Sequence, residues 1–439
     1  MTKQDLRFFE IMAIINNKFN TSSPVATLKD RFLAPLIQVM EPVTSGRKCP
    51  VFTDSEWLLG GVRRVLDSFD SGRDFLQRFS EINGSLSGYF DTLKSDRRLQ
   101  FVTDLERRIC KEMGKALLDL VSQAIPQLAG FDVWLGDGHW HTHATHDFTN
   151  EDTKYAVGHL YGLNLRTKAL CHLTCADQKN RKKEHDIRAL KRLEIDELRQ
   201  GAPKGQKVIW VWDRAGIDFR QWYHWKKQNG IYFVSRTKKD MKTNEDTVPL
   251  TYDKSDPVNE GVTGDFLWAT SCGVQLRVVR FYDVISGEHF EFLTSLTDRS
   301  IPPGVIAQLY RMRWDIEKSF DVIKNKTHEQ KAWGTTANAK TIQAKLITIT
   351  YNLMLLFESE LEKKEGIKNE VEDKRRHARI ETTKEKVEKK GDVMPKLYLS
   401  LIRVTQVSVK FVRWLRYEVF GLTSDTVALE RLRGCYSKS

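Results

Sequence analysis

Apolar positions over residues 1–128 recur at helical spacing, and small polar residues stand where helices would begin. Thr53 and Ser95 precede two such segments, where their side chains can cap free backbone amides. The segment after Ser95 carries apolar residues at the period of one buried helix face: Phe101, Leu105, Ile109, Met113 and Leu117. Residues 1–128 are therefore predicted to be all α-helical.

The pattern changes at about residue 129 to short runs of β-branched and aromatic residues bounded by turn formers. Such runs are typical of β-strands. Five of them cover residues 131–141, 154–167, 168–176, 207–216 and 230–238. A charged helix is predicted between the third and fourth runs, over residues 181–201. This alternation indicates an α/β unit over residues 129–335, built on a mixed five-stranded sheet with helices.

Further strand-type runs interrupt this unit over residues 238–298, approximately, and predict an antiparallel β insert. Helical periodicity returns at Pro302 and continues through residues 336–439. The mixed-charge stretch 361–391 is predicted to be a solvated helix or a mobile link rather than a binding site.

Composition adds a preference for polyanionic partners. Lys and Arg number 70 against 58 Asp and Glu, which gives a formal charge of +12. This balance favours nucleic acid first and an anionic membrane surface second. No membrane span is expected, because the richest apolar run, Leu346 to Phe357, is too short to cross a bilayer. Without a signal-peptide pattern, a cytoplasmic location with reduced cysteines is expected.

Charge is concentrated in one helical segment, residues 305–326. On a helical wheel its core-facing residues fall within a sector of about 80°: Val305, Leu309, Met312, Ile316, Phe320 and Ile323. A second stripe lies about 95° away from that sector and contains Tyr310, Arg313, Glu317 and Lys324. An ordinary amphipathic helix with surface ion pairs is the alternative interpretation.

Two further acids follow apolar runs and therefore lie at or near the ends of predicted buried strands. They are Asp137 and Asp213. Either one alone is explained by a turn, and Asp137 with Gly138 suits a hairpin. Together with Glu317 they form three carboxylates, the ligand type that Mg²⁺ prefers. Two such ions about 4 Å apart can support phosphoryl transfer.

The charged stripe resembles a family signature. The spacing of Tyr310, Arg313, Glu317 and Lys324 is similar to the YREK signature of DDE transposases from prokaryotic insertion sequences, in the family named after insertion sequence four. The strand order also resembles the RNase H-like catalytic core of that family, which is interrupted by a β insert. The resemblance covers residues 130–335, approximately.

The dipeptides at the two aspartates extend the resemblance. Asp137 is followed by Gly138 and Asp213 by Arg214, as in many members of the family. One departure is His139, where many members have threonine.

The resemblance implies a metal-dependent active site. Asp137, Asp213 and Glu317 would bind two Mg²⁺ ions as catalytic ligands, with Mn²⁺ able to substitute. Tyr310, Arg313 and Lys324 would contact the backbone of the transposon end, with Trp314 beside them.

A second DNA-contacting segment is implied just after the fifth strand. It consists of Arg236, Lys238 and Lys239. A solvated turn is the equal alternative for these three residues.

The implied activity is hydrolysis at transposon ends to free 3′-hydroxyls, followed by strand transfer into target DNA. Residues 1–128 would bind the terminal inverted repeats, and residues 336–439 would contact DNA and join a homodimer on paired ends, at the nucleoid when bound. A structure-selective nuclease on the same core and a catalytically silent DNA-binding regulator are the alternatives.

A cluster of histidines offers another metal hypothesis. His139, His141 and His143 would share one face of a strand, and His146 follows them. Without a partner set at ligand spacing, zinc binding there is the weaker interpretation. Cys171 and Cys175 are interpreted as a small apolar residue and a bystander.

Overall fold

The computed structural model describes residues 26–40, 52–67, 71–79, 84–117, 119–146, 154–176, 184–241, 243, 245–326, 331–395 and 409–437. Residues 1–25 of the predicted helical region and the first three residues of the charged segment 181–201 lie outside this description.

The region before the sheet is helical, as predicted. Its described helices are α1 (Leu28–Val39), α2 (Asp54–Leu66), α3 (Gly72–Arg78), α4 (Leu86–Thr92), α5 (Asp96–Ala116) and α6 (Leu120–Ala124). The Thr53 hydroxyl accepts the Glu56 amide at 3.1 Å, while the Glu56 carboxylate accepts the Thr53 amide at 2.9 Å. This reciprocal cap satisfies two amides that a helix start leaves free. Ser95 caps α5 as predicted.

The strands form one twisted surface rather than a core sheet and a separate insert. They are β1 (Phe131–His146), β2 (Lys154–Asn164), β3 (Leu170–Ala176), β4 (Lys207–Val211), β5 (Ile231–Arg236), β6 (Thr247–Pro249), β7 (Val262–Ala269), β8 (Gln275–Asp283) and β9 (Glu288–Thr294). Their order is β3-β2-β1-β4-β5-β9-β8-β7-β6. The five predicted core strands therefore occupy one side, and the insert extends the sheet through β9.

Strand direction separates the two parts of the sheet. β1 pairs with β4, and β4 with β5, in parallel. β9 then pairs antiparallel with β5, and the remaining insert strands are antiparallel as predicted. The backbone edge of β5 is therefore covered by the insert, which removes an exposed edge that could pair with another chain.

Helices cover both faces of the sheet. The helices between the parallel strands are α7 (Asp186–Lys191), α8 (Ile195–Arg199) and α9 (Phe219–Asn229), and they pack on one face around Trp210, Trp212 and Trp222. The predicted single helix over 181–201 is thus two short helices, α7 and α8. Gln200, in the left-handed conformation, ends α8 just before Gly201.

The opposite face is covered by helices distant in sequence. These are α5 together with α10 (Pro303–Met312), α11 (Trp314–Lys326) and α12 (Ala337–Glu365). The apolar run Leu346 to Phe357 lies within α12 and is buried throughout. Because α12 contacts α1, α2, α5 and β3, it joins the N-terminal helices to the sheet.

A buried polar network fixes this junction. The Lys345 ammonium donates to the Glu106 carboxylate at 2.7 Å, and the Thr348 hydroxyl donates to the same carboxylate. Glu106 also accepts the backbone amide of His172 on β3 at 2.8 Å. The buried charges are therefore paired and hydrogen-bonded, which offsets the cost of removing them from water.

The chain continues in α13 (Glu370–Glu388), α14 (Val409–Trp414), a π-helical turn (Leu415–Val419) and α15 (Asp425–Ser437). Among the described residues, no helix is both long and apolar enough to cross a membrane.

Candidate active site

The parallel pairing of β1 and β4 brings two aspartates to one edge of the sheet. Leu135 of β1 lies opposite Val211 of β4, and each aspartate lies two residues beyond its strand's member of this pair. Asp137 and Asp213 therefore reach the same level. Because side chains alternate along a strand, they project on the face of Leu135 and Val211, which α11 covers.

Asp137 lies inside β1 rather than at a turn, and the hairpin alternative is wrong. Gly138 continues the strand opposite Leu160. A Cβ on Gly136 would lie 2.2 Å from the Trp212 ring, and one on Gly138 would lie 3.0 Å from the Asp186 carboxylate. The glycines on either side of Asp137 thus admit large groups against the other face of the sheet.

Asp213 is held by hydrogen bonds of the turn after β4. Its carboxylate accepts the Ala215 amide at 2.8 Å, and its backbone carbonyl accepts the Ser235 hydroxyl of β5 at 2.9 Å. These contacts fix the direction in which the chain leaves the strand.

The predicted helix over 305–326 is interrupted at Arg313. The Arg313 amide donates to the Tyr310 carbonyl at 3.1 Å, and the Ile316 amide donates to the Arg313 carbonyl at 3.2 Å. These i to i+3 bonds tighten the chain between α10 and α11. The predicted core stripe is otherwise buried, and only Met312 is partly exposed.

Stacking places α11 over β1. The Phe320 ring lies 5.0 Å from the His139 ring and 5.6 Å from the Tyr161 ring of β2. Glu317 is one turn before Phe320, so its side chain is carried to the sheet edge that bears Asp137.

Arg313 joins two of the three predicted carboxylates. Its guanidinium donates to Asp137 at 2.9 Å and to Glu317 at 2.9 Å. Arg313 and Asp137 are largely buried, with 10% and 15% of their side-chain surfaces exposed. The cation predicted for DNA contact therefore serves in this state as the counter-ion of the acids.

The acids influence one another electrostatically. The pKa of the Asp137 carboxyl is raised to about 6, mainly by burial; the charges of Asp213 and Glu317 contribute to the rise, while Arg313 and the Gly138 amide oppose it. Three carboxylates share one guanidinium, so the negative charge of this group is not fully compensated. A carboxylate set of this kind fits a divalent cation that prefers oxygen ligands.

The other predicted DNA contacts lie at different distances from this group. The Tyr310 ring packs 5.1 Å from Phe292, and the Arg313 guanidinium lies 5.8 Å from both the Tyr310 and the Trp314 rings. Trp314 is 60% exposed. Lys324 lies in α11, but its side chain is outside the described part of the structure.

The three residues predicted to contact DNA after β5 lie in two different environments. Arg236 packs against the Phe290 ring at 4.4 Å and lines the same cavity as Tyr310 and Arg313. Lys238 and Lys239 are exposed in the turn beyond and do not line that cavity.

A cavity of about 930 Å³ with a largely basic wall adjoins the carboxylates through Arg313, although none of the three acids lines it. One side is formed by α10, the start of α11 and the insert strands β8 and β9. The other side is formed by α13, part of the stretch expected to be a solvated helix or a link. The basic residues of the wall are Arg236, Arg311, Arg313, Lys318, Arg376, Arg379 and Lys386.

A second group of side chains, distinct from the carboxylates, has its ligand atoms close enough together to hold one metal ion. Among the described residues, the His, Cys, Asp and Glu side chains whose ligand atoms all lie within 4.8 Å of one another are His159, His172 and Cys175. The sequence hypothesis for zinc named His139, His141, His143 and His146 instead. The side chains of the last three lie outside the described part of the chain.

Comparison with known families gives a match over the part of the chain that contains these carboxylates. Residues 137–353 match the family model of the transposase DDE domain, a stretch that begins at Asp137 and contains Asp213 and Glu317. This match supports a DDE transposase, a class of enzymes that bind DNA and use divalent metal ions. No curated protein sequence matches the chain significantly.

Proposed function

We propose that the chain is a DNA transposase that hydrolyses phosphodiester bonds at transposon ends and then transfers the freed 3′-hydroxyls to target DNA. One observation carries this proposal: the Arg313 guanidinium lies 2.9 Å from both Asp137 of β1 and Glu317 of α11, and Asp213, just after β4, is close enough to act on it electrostatically. An arrangement of acids around one buried cation is costly to fold unless it has a use.

In this proposal Asp137, Asp213 and Glu317 bind two Mg²⁺ ions, for which Mn²⁺ can substitute. When bound, the ions would activate the attacking oxygen and stabilise the leaving oxygen of an in-line displacement. Arg313 balances the acids in their absence. Once the ions are bound and the guanidinium is released from the acids, it can bind a DNA phosphate through two hydrogen bonds.

The DNA path is proposed along the basic cavity. Tyr310, Arg313 and Lys324 would contact the backbone of the transposon end, and the exposed Trp314 would lie against it. Arg236 would contact the strand from the β5 side, with Lys238 and Lys239 farther out. The net charge of +12 supports this partner, because phosphate contacts supply much of the affinity for DNA.

The remaining assignments rest on the resemblance. The order β3-β2-β1-β4-β5 supports an RNase H-like core, and the spacing of the charged stripe supports the YREK family. The helices of residues 1–128 would bind the terminal inverted repeats, and those of residues 336–439 would join a homodimer. The reaction would take place in the cytoplasm, at the nucleoid.

A nicking assay tests the proposal. The substrate is a duplex carrying the DNA that flanks the reading frame, incubated with the full chain and Mg²⁺. We expect Asp137→Asn, Asp213→Asn and Glu317→Gln each to lower nicking by about a hundredfold or more, because each removes a charged ligand. Asp321→Asn is the matched control, since Asp321 is exposed on the same helix, one turn beyond Glu317.

The outcomes separate the alternatives. Nicked substrate joined to a second duplex indicates a transposase, whereas nicking without joined products indicates a nuclease. Binding without any metal-dependent cleavage indicates a regulator. Activity that is equal in the wild-type protein and in the three ligand variants contradicts the active-site assignment.

A further inference from the structure

A buried group of two imidazoles and a thiol lies on the sheet face that carries Asp137. His159 of β2 and His172 of β3 are 4% and 2% exposed, and Cys175 is partly exposed at the end of β3. The His159 Nδ1 atom lies 3.1 Å from His172 Nε2, and the Cys175 Sγ atom lies 3.5 Å and 4.0 Å from these two nitrogens.

These distances fit a zinc ion. With bonds of about 2.0 Å to nitrogen and about 2.3 Å to sulfur, a tetrahedral ion holds its ligand atoms roughly 3.3 to 3.6 Å apart. The separation of 3.5 Å lies within that range, and those of 3.1 Å and 4.0 Å differ from it by a few tenths of an ångström. The set also has the right chemistry, since imidazole and thiolate suit zinc, whereas Mg²⁺ prefers oxygen.

A β-bulge creates the group. His172 and Cys175 are three residues apart, so a regular strand would direct them to opposite faces. The pairing shifts here: Leu160 lies opposite Thr174, while Tyr161 lies opposite His172. The one extra residue, Leu173, restores Cys175 to the face of His172 and places it opposite His159.

The surroundings hold the ligands in position. The His172 amide donates to Glu106 at 2.8 Å, and its carbonyl accepts Lys345 at 3.2 Å, so α5 and α12 both fix the bulged strand. The Cys175 thiol lies 3.4 Å from the Thr341 hydroxyl near the start of α12. The backbone contacts fix the direction in which the His172 side chain leaves the strand.

We propose that His159 Nδ1, His172 Nε2 and Cys175 Sγ bind one Zn²⁺ ion that ties β2 to β3 beneath the N-terminal part of α12. The Thr341 hydroxyl lies beside the site, 3.4 Å from the Cys175 thiol, and a water molecule would fill the fourth coordination position. The ion has a structural role, separate from the carboxylates around Asp137.

Cobalt titration of the full-length, tag-free chain tests this site. The protein is stripped with a chelator and titrated with Co²⁺ in excess Mg²⁺, which occupies carboxylate sites but does not compete for a thiolate. We expect a thiolate-to-cobalt charge-transfer band in the near ultraviolet, saturating at about one equivalent, as one such site requires. Zn²⁺ should abolish it.

Two cysteine variants and a double variant define the ligands. Cys175→Ala should remove the charge-transfer band and weaken Co²⁺ binding by about tenfold or more. Cys171→Ala is the matched control, because Cys171 is buried on the same strand but faces the other core, and it should keep the band. The Asp137→Ala/Glu317→Ala protein should also keep it, which separates this site from the proposed active site.

Two results would overturn the zinc proposal. A wild-type protein without a thiolate band at saturating Co²⁺ overturns the proposal, whether or not Cys175→Ala folds. Retention of the band in a folded Cys175→Ala protein overturns it as well. Loss of nicking activity with the band intact would concern the carboxylate site alone.

Discussion

The role of Arg313 in the structure differs from the role that the sequence pattern predicted. The pattern placed it on an outer stripe for DNA phosphate, whereas its guanidinium lies between Asp137 and Glu317. Both roles are compatible if the cation leaves the acids when divalent ions bind. Arg313 would then occupy the carboxylates only while they lack metal.

Arg313→Ala tests this exchange. Removing the guanidinium leaves the acids without their counter-ion, so their attraction for a divalent cation should increase. We expect Mn²⁺ to bind about tenfold more tightly, as measured by electron paramagnetic resonance, a gain that corresponds to about 1.4 kcal/mol of Coulomb energy. Nicking should fall nevertheless, because a phosphate contact is lost.

Arg311→Ala is the control for that measurement. Arg311 lines the same cavity but pairs with Asp283 at 3.4 Å, away from the three acids. Its loss should leave Mn²⁺ affinity unchanged. Weaker Mn²⁺ binding in Arg313→Ala would mean that Arg313 orders the carboxylates for metal instead of competing with it.

At the level of elements, most helices and strands formed where periodicity indicated, and the exceptions have local causes. The helix over 305–326 is interrupted at Arg313, where two i to i+3 hydrogen bonds tighten the chain. The charged segment 181–201 became two helices. The insert strands joined the core sheet because β9 satisfies the free edge of β5.

One interhelical contact predicts a pH dependence of stability. Glu358 of α12 accepts the Tyr436 hydroxyl of α15 at 2.7 Å. Burial raises the pKa of Glu358 from 4.5 to about 7, and Glu362 and Glu372 contribute to the rise, while Tyr436 opposes it. The folded protein therefore holds this proton more tightly than the unfolded chain does. Its contribution to stability is full below about pH 4.5 and is lost as pH rises through about 7.

Glu358→Gln should remove this loss. The amide stays neutral and keeps an acceptor for Tyr436, so at pH 8 the variant should be more stable than wild type by about 1 to 2 kcal/mol, and nearly equal at pH 5. Thermal unfolding at several pH values measures the difference. Glu381→Gln, an exposed change on α13, is the control and should follow the wild-type curve. A Glu358→Gln curve parallel to wild type would contradict the explanation.

Across the whole molecule, the basic cavity is assembled from segments far apart in sequence. β5, the insert strands, α10 and the start of α11 form one side, and α13 forms the other. The mixed charge of α13 made it look like a solvated helix, and most of it is exposed. Only the packing of the chain directs Arg376, Arg379 and Lys386 into the cavity that Arg313 also lines.

Two charge reversals within α13, one inside the cavity and one outside it, test the proposed DNA path. Arg379 lines the cavity, whereas Arg375 does not line it and pairs with Glu372 at 3.7 Å. Arg379→Glu should weaken binding of a duplex about tenfold at low salt, and should reduce the salt dependence, because a phosphate contact is replaced by repulsion. Arg375→Glu changes the net charge equally.

Fluorescence anisotropy over a range of salt concentrations distinguishes the two variants. Equal losses of affinity would show that only the total charge matters and that DNA does not follow this cavity. A larger loss in Arg379→Glu supports the path between α10 and α13.

The sequence by itself determined the local features. Capped helix starts such as Thr53, the buried stripe of α5 and the strand-forming runs depend on neighbours within a few residues, so their patterns can be interpreted without a fold. Asp137, Asp213 and Glu317 were nominated in the same way, from their positions along strands and a helix. The parallel register of β1 and β4 then brought the two aspartates to one level.

Only the tertiary structure decided which distant groups meet. The ion pair between Arg313 and Asp137 joins residues 176 positions apart, and no periodic pattern in the sequence predicts it. The bulge at Leu173 turned Cys175 toward His159 by adding one residue to a strand, which reverses every face assignment beyond it. Such contacts arise from packing among elements, and a pattern of period two or 3.6 contains no information about them.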